Sequence, residues 1–165
     1  ATINVSVDAL AASIASVIAM AGDTITMAEG SFFMVHRAMT GVHGNANEMR
    51  TVVGLLEVVD SQMEGIYMGR LEGTSTSKEK LQSMLDAETW LTHAESVEAG
   101  FADSVSGSVD IAACIDAGKF SNTPSQLVKA ATVKPVEQMK EDTPKKAEGT
   151  VDMAKRKLVL TRNPL

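Results

Sequence analysis

Residues 8–16 read Asp8-Ala9-Leu10-Ala11-Ala12-Ser13-Ile14-Ala15-Ser16 and follow an alternating run, Ile3-Asn4-Val5-Ser6-Val7. The alternation predicts a strand, and Leu10, Ile14, Val17, Ile18 and Ala21 then keep the i, i+4, i+7 spacing of a helix. Small residues crowd the point where strand becomes helix, with one hydroxyl among them. On one reading Ser13 lies near unpaired N–H groups and the positive end of the helix dipole. Such groups hold the oxyanion that forms when a hydroxyl attacks a carbonyl. On the other, the small residues let the helix pack closely on a sheet and Ser13 fills space. The first strand has no residues before it to cover its edge, so it is expected to be an interior piece of a larger sheet.

Outward from this stretch, Gly22-Asp23 marks a turn. Two short strands are expected over Thr24–Ala28 and Ser31–His36, the second carrying the apolar run Phe32-Phe33-Met34-Val35, buried on both faces. Thr40-Gly41-Val42-His43-Gly44 is a loop or edge strand. Asn45 and Glu48 have the spacing of a capping box. The long helix they open has Met49, Val52, Val53, Leu56, Val59, Met63, Ile66 and Tyr67 at helical period to about Gly69. A helix of that length either crosses the core or projects towards another subunit. Thr76 with Glu79 caps a short helix burying Leu81, Met84 and Leu85. Thr92 with Glu95 caps another, ended by Gly100. Phe101–Val105 reads as a strand or connector.

The chain has 165 residues, 44% hydrophobic and 22% charged, which suits one domain with an appendage. Residues 1–118 carry 5 Lys/Arg against 16 Asp/Glu, and residues 119–165 carry 10 against 5, so an acidic body precedes a basic tail. The acidic body argues against nucleic acid as the main ligand. Pro124, Pro135 and Pro144 interrupt the Lys/Glu-rich tail, which is expected to be extended or partly helical. The single Cys114 excludes an internal disulfide, fits a reducing compartment and reads as a small buried hydrophobe. No apolar run reaches membrane-spanning length and no signal peptide is evident, so a cytoplasmic chain is expected. His36, His43 and His93 lack metal-ligand spacing, and no glycine-rich phosphate loop is present; neither metal nor cofactor is expected.

A nucleophilic Ser13 needs a base. His36 ends an apolar strand, where it would emerge at a sheet edge; His43 and His93 read as surface residues. Asp86 and Glu88 are the carboxylates available to orient the base, and spacing alone does not choose between them.

Three blocks occur in order: Leu10-Ala11-Ala12-Ser13, His36-Arg37-Ala38-Met39-Thr40-Gly41-Val42-His43-Gly44, and the run from Glu88-Thr89-Trp90 to Ala102-Asp103. Together they resemble the active-site blocks of the ClpP family of serine peptidases. The likeness is nearest to the head maturation (prohead) proteases of tailed phages, especially at Glu88-Thr89-Trp90. It covers residues 3 to about 105 and extends weakly into Lys119-Phe120-Ser121-Asn122-Thr123-Pro124. It implies an α/β fold of the ClpP/crotonase type, a spiral of β-β-α units with a projecting handle helix. Residues 1–118 would form the peptidase core and 119–165 the tail.

The resemblance also implies roles. Ser13 matches the nucleophile, His36 the base and Glu88 the third triad member, with Asp86 in reserve. The Ile14 N–H matches an oxyanion donor, and Met39, Gly41 and Val42 match the edge along which an extended peptide binds. Ala9 and Ala38 stand where the family usually has glycine and proline. The family's first βα units and the loop giving a second oxyanion donor have no counterpart here, as in an N-terminally truncated member. The implied function is a cytoplasmic serine endopeptidase acting on capsid or scaffold protein during head maturation, as a homo-oligomeric ring without cofactor. The alternative is a catalytically impaired assembly module on the same core. A crotonase-like acyl-CoA enzyme is a second enzymatic alternative, which the Ser–His pair disfavours.

Overall fold

The computed structural model describes residues 1–108 and 119–131, all within one compact unit. Cys114 and the tail beyond residue 131 lie outside the described residues. The elements run β1 (Asn4–Val7), β2 (Leu10–Ala12), α1 (Ile14–Ala19), β3 (Thr24–Ala28), β4 (Phe32–Val35), α2 (Ala46–Leu71), α3 (Lys78–Asp86), β5 (Thr89–Thr92), α4 (His93–Ala99), β6 (Ser104–Ser106) and α5 (Ser125–Ala131).

Two small sheets form, ordered β1-β3-β6 and β2-β4-β5. Each β-β-α unit sends its first strand to one sheet and its second to the other. β1 and β3 are thus parallel neighbours in one sheet, and β2 and β4 parallel neighbours in the other. This is the α/β arrangement expected of the ClpP type. Between the layers lie Ile25, Met27, Phe33, Val35, Tyr67, Leu71, Leu81, Leu85 and Phe101, all essentially inaccessible to solvent. Phe101 stacks on Phe33 at 5.3 Å and meets Tyr67 edge-on at 5.8 Å. Aromatic carbon thus joins the sheets to the C-terminal end of α2.

The expected capping box is present: Asn45 accepts from the Asn47 and Glu48 N–H groups, and Glu48 accepts from the Asn45 N–H. The 26-residue helix it opens spans about 39 Å at 1.5 Å per residue. Only Tyr67 and Leu71 on it are fully buried, whereas Met49, Val53, Leu55, Val58 and Val59 are exposed. The helix projects rather than crossing the core. Thr92 and Glu95 likewise form a capping box, and Gly100 ends α4 in the left-handed region at φ 91°.

Several expectations need correction. Leu10 to Ala12 belong to a strand, because their backbone groups pair with β4; the helix starts only at Ile14. Ile14 and Ile18 are each 65% exposed, and the face of α1 that packs inward carries Ser16 and Ala19 instead. The α3 cap is Ser77 rather than Thr76, whose buried hydroxyl donates to the Ala99 carbonyl. Phe101 precedes β6 and serves the core. Finally, the first part of the tail, residues 119–131, folds with the body, and Leu127 on α5 is buried.

Candidate active site

Strand register brings the candidate residues to one edge. Ala12 lies opposite Met34 in the parallel pair β2–β4, so the chain leaves both strands side by side, into Ser13 on one and His36 on the other. Val35 lies opposite Thr89 in the antiparallel pair β4–β5, which places Glu88, just before β5, next to His36, just after β4. Three residues separated by 75 positions of chain, from Ser13 to Glu88, thereby meet at the end of one sheet.

Ser13 has φ 58° and ψ −128°. For a residue with a side chain this is strained backbone, costing of order 1–3 kcal/mol and persisting only where the surroundings fix it. The surroundings here are specific. The Ser13 N–H donates to the Met34 carbonyl at 3.2 Å, and its own carbonyl accepts from the Ser16 N–H at 3.0 Å and the Ser16 hydroxyl at 2.6 Å. Ser16 in turn is 2.7 Å from the buried Tyr67 hydroxyl. The single Ser16 proton is committed to the carbonyl, so Tyr67 donates to Ser16. Burial raises the Tyr67 hydroxyl above its ordinary range despite the Ser16 hydrogen bond, which keeps it in donor form.

This turn aims the Ser13 Oγ at His36, whose Nε2 lies 2.8 Å away. His36 is 7% exposed and rests edge-on against Phe120 at 5.9 Å. The Ile14 N–H, first in α1, has no acceptor within the helix. The site thus combines a strained serine, a base within hydrogen-bond reach and a backbone donor beside the serine, which is the equipment of acyl transfer.

Glu88 is brought to the site without bonding His36 directly. Its Oε1 accepts from the Asn122 N–H at 2.8 Å and the Trp90 indole N–H at 3.4 Å. Burial raises its carboxyl, but the Asn122 and Ser121 backbone N–H groups, Trp90 and the neighbouring His36 outweigh burial and hold it below the usual carboxylate range. Glu88 therefore stays ionised near the imidazole. Its φ of 49° is again left-handed, so the turn before β5 is held against its own backbone preference.

Asp86 is elsewhere. Its carboxylate binds the Arg37 Nε at 2.7 Å and is 65% exposed. Arg37 also pairs with Glu64, and Asp60 accepts from the Ala38 N–H at 2.7 Å. Hydrogen bonds to Asp86 and Glu64 raise the Arg37 guanidinium, so it is a permanent cation that ties the segment after His36 to α2 and α3.

A cavity of about 400 Å³ opens at Ser13, lined by Ile14, His36, Met39, Val59, Met63 and Phe120 among others. Of the expected substrate-contact residues, Met39 lines this space. Gly41 and Val42 sit in the exposed segment beyond it, which has no regular secondary structure. His43 is exposed in that segment, and His93 accepts from the Gly30 N–H at 3.1 Å, so neither serves Ser13. Among the described residues no group of three or more His, Cys, Asp or Glu could hold a metal ion, and no helix is long and apolar enough to cross a membrane. Sequence reasoning missed Phe120, Asn122, Ser16 and Tyr67. The first two lie in the weakly similar stretch 119–124, and a lone aromatic there was the available signal.

No curated protein matches the chain significantly. The family model described as Clp protease matches residues 1–109, a stretch that holds both sheets and Ser13, His36 and Glu88. A match over most of the chain, on a fold that meets its expectation, means that this protein belongs to the Clp protease family.

Proposed function

We propose that this chain is a serine endopeptidase in which Ser13 is the nucleophile, His36 the base and Glu88 the carboxylate that supports it. The observation that carries this is the 2.8 Å contact between His36 Nε2 and the Oγ of a backbone-strained Ser13. In the reaction, Oγ attacks the scissile carbonyl carbon while His36 Nε2 takes its proton. The oxyanion is received by the Ile14 N–H, and Glu88 offsets the charge gained by the imidazole. His36 then protonates the leaving amine, the C–N bond breaks and an acyl-Ser13 ester remains. Water, deprotonated by the same imidazole, hydrolyses that ester and restores the hydroxyl.

The peptide is proposed to run as an added strand along Met39, Gly41 and Val42, whose backbone in this segment is free of sheet pairing. The likeness of the Glu88-Thr89-Trp90 block to phage prohead proteases supports capsid or scaffold protein as substrate, within the host cytoplasm or the assembling head. A homo-oligomeric ring is supported by the family and by the exposed Met49, Val53, Leu55 and Val58 on the projecting α2. The second reading is an impaired assembly module, favoured by the missing direct hydrogen bond between Glu88 and His36 and by the excess of Lys/Arg after residue 118.

Fluorophosphonate labelling, read by intact mass, separates the two. A single adduct on the parent and none on Ser13→Ala supports the peptidase; no adduct on either leaves the assembly module.

A further inference from the structure

The family match ends at residue 109, yet the site does not. Residues 119–122 return to the catalytic edge and grip the turn before β5 at two successive residues. The Asn122 side-chain amide donates to the Ala87 carbonyl at 2.7 Å and its backbone N–H to Glu88 Oε1 at 2.8 Å. Two residues earlier, Phe120 inserts its ring between two site aromatics. It meets His36 edge-on at 5.9 Å and Trp90 edge-on at 5.7 Å, and it also lines the cavity at Ser13. Trp90 completes the circuit by donating to the same Glu88 oxygen.

This geometry matters because Glu88 lacks the means to place itself. Its backbone is left-handed at φ 49°, and it makes no hydrogen bond to the imidazole it faces. Its side-chain direction is set by donors, and two of those shown, the Asn122 and Ser121 backbone N–H groups, come from this segment. His36 is likewise supported on one flank by Phe120. We propose that residues 119–122 are a strap that positions the Glu88 carboxylate beside His36 and walls the Ser13 pocket, with Asn122 and Phe120 as its positioning residues. The proposal rests on the serine-peptidase reading. It adds that catalytic competence depends on a segment beyond the family-matched core.

The chain has one tryptophan, Trp90, so its emission reports strap docking without reference to activity. The experiment uses the full chain and its Asn122→Pro, Asn122→Ala and Phe120→Ala variants. Each is checked for folding by circular dichroism, then for Trp90 emission and for the rate of fluorophosphonate labelling across pH. Asn122→Pro deletes the N–H that Glu88 accepts from; Asn122→Ala keeps it and should have the smaller effect. Release of the strap should shift Trp90 emission to the red and slow labelling on the order of tenfold to a hundredfold, as misplacement of a catalytic group does. Deprived of its donors, Glu88 protonates at higher pH, so the variants should fall furthest below the parent's labelling rate at the acid end of the profile. Should Asn122→Pro fail to fold, Phe120→Ala decides by the same readouts. A variant with shifted Trp90 emission but the parent's labelling rate and pH profile overturns the strap alone. A parent that does not label Ser13 at all removes the peptidase reading and the strap with it.

Discussion

Replacement of Ser16 by alanine tests whether the strained backbone of Ser13 is held from behind. Ser16 and Tyr67 are both fully buried, and their hydroxyls form a two-step relay from α2 to the Ser13 carbonyl, at 2.7 and 2.6 Å. Ser16→Ala breaks both steps and takes away the acceptor of the buried Tyr67 O–H. Stranding a buried donor costs about 1–3 kcal/mol. Tyr67→Phe removes only the first step, since Ser16 still donates to the Ser13 carbonyl, and should cost about 0.5–1.5 kcal/mol. The double variant strands nothing, so its loss should fall short of the sum of the two by on the order of 1 kcal/mol.

Urea unfolding of the parent and the three variants supplies the cycle, with unchanged slopes showing that the unfolded states are comparable. Labelling rates add the functional axis. Ser16→Ala should slow Ser13 labelling more than Tyr67→Phe does, because only the former removes the hydroxyl that donates to the Ser13 carbonyl and leaves the residue-16 N–H to hold it alone. Costs that add within about 0.3–0.5 kcal/mol would show that the two hydroxyls act independently, and would refute the relay.

Three further outcomes follow from the carboxylates. Glu88→Gln should slow Ser13 labelling by at least about tenfold, short of the ~10⁴ seen when a directly bonded triad carboxylate is neutralised. Asp86→Asn should leave the rate unchanged, because Asp86 is committed to Arg37; the reverse pattern would move the third triad role to Asp86. Glu64 is held below its ordinary range by hydrogen bonds from Arg37 and then Gln82. A carboxyl depressed on folding stabilises fully above its unfolded value of about 4.3, and that contribution fades as pH falls through the folded value. The parent should therefore lose stability more steeply than Glu64→Gln between about pH 5 and pH 2, as urea midpoints would show. Parallel curves would mean the Arg37 contact contributes nothing.

What could be read from the sequence divides by range. Capping boxes at Asn45 and Thr92 and the αL glycine at 100 are local chemistry, written in residues three or four apart, and all three are present. The Ser13–His36 pairing needed the resemblance, because only strand register joins positions 23 residues apart. Small residues misled at Leu10–Ala12. Ala and Leu favour helix, but pairing with Phe32–Met34 outweighs that preference. The helical spacing of Ile14 and Ile18 pointed to a buried face, whereas Ser16 and Ala19 are what fit beneath α1. A serine in that place had no local reason to be buried. Its reason is Tyr67, 51 residues away.

That distance also explains why α2 bears on the chemistry, although its N-terminal turns stand clear of the body. Near its C-terminal end, Tyr67 reaches through Ser16 to the backbone of Ser13. One to two turns earlier, Asp60 accepts from the Ala38 N–H and Glu64 binds Arg37, the two residues that follow His36. One helix therefore holds, through Ser16, the carbonyl of Ser13 and, through Arg37 and Ala38, the exit of the strand that carries His36, the two partners of the 2.8 Å contact. Hydrogen-bond reach between serine and imidazole tolerates only a few tenths of an ångström. A displacement of α2 relative to the sheets would have to move both supports together or break that contact. The position of this helix is accordingly part of the geometry of the Ser13–His36 site, even though Val59 and Met63 are the α2 side chains that line the pocket itself.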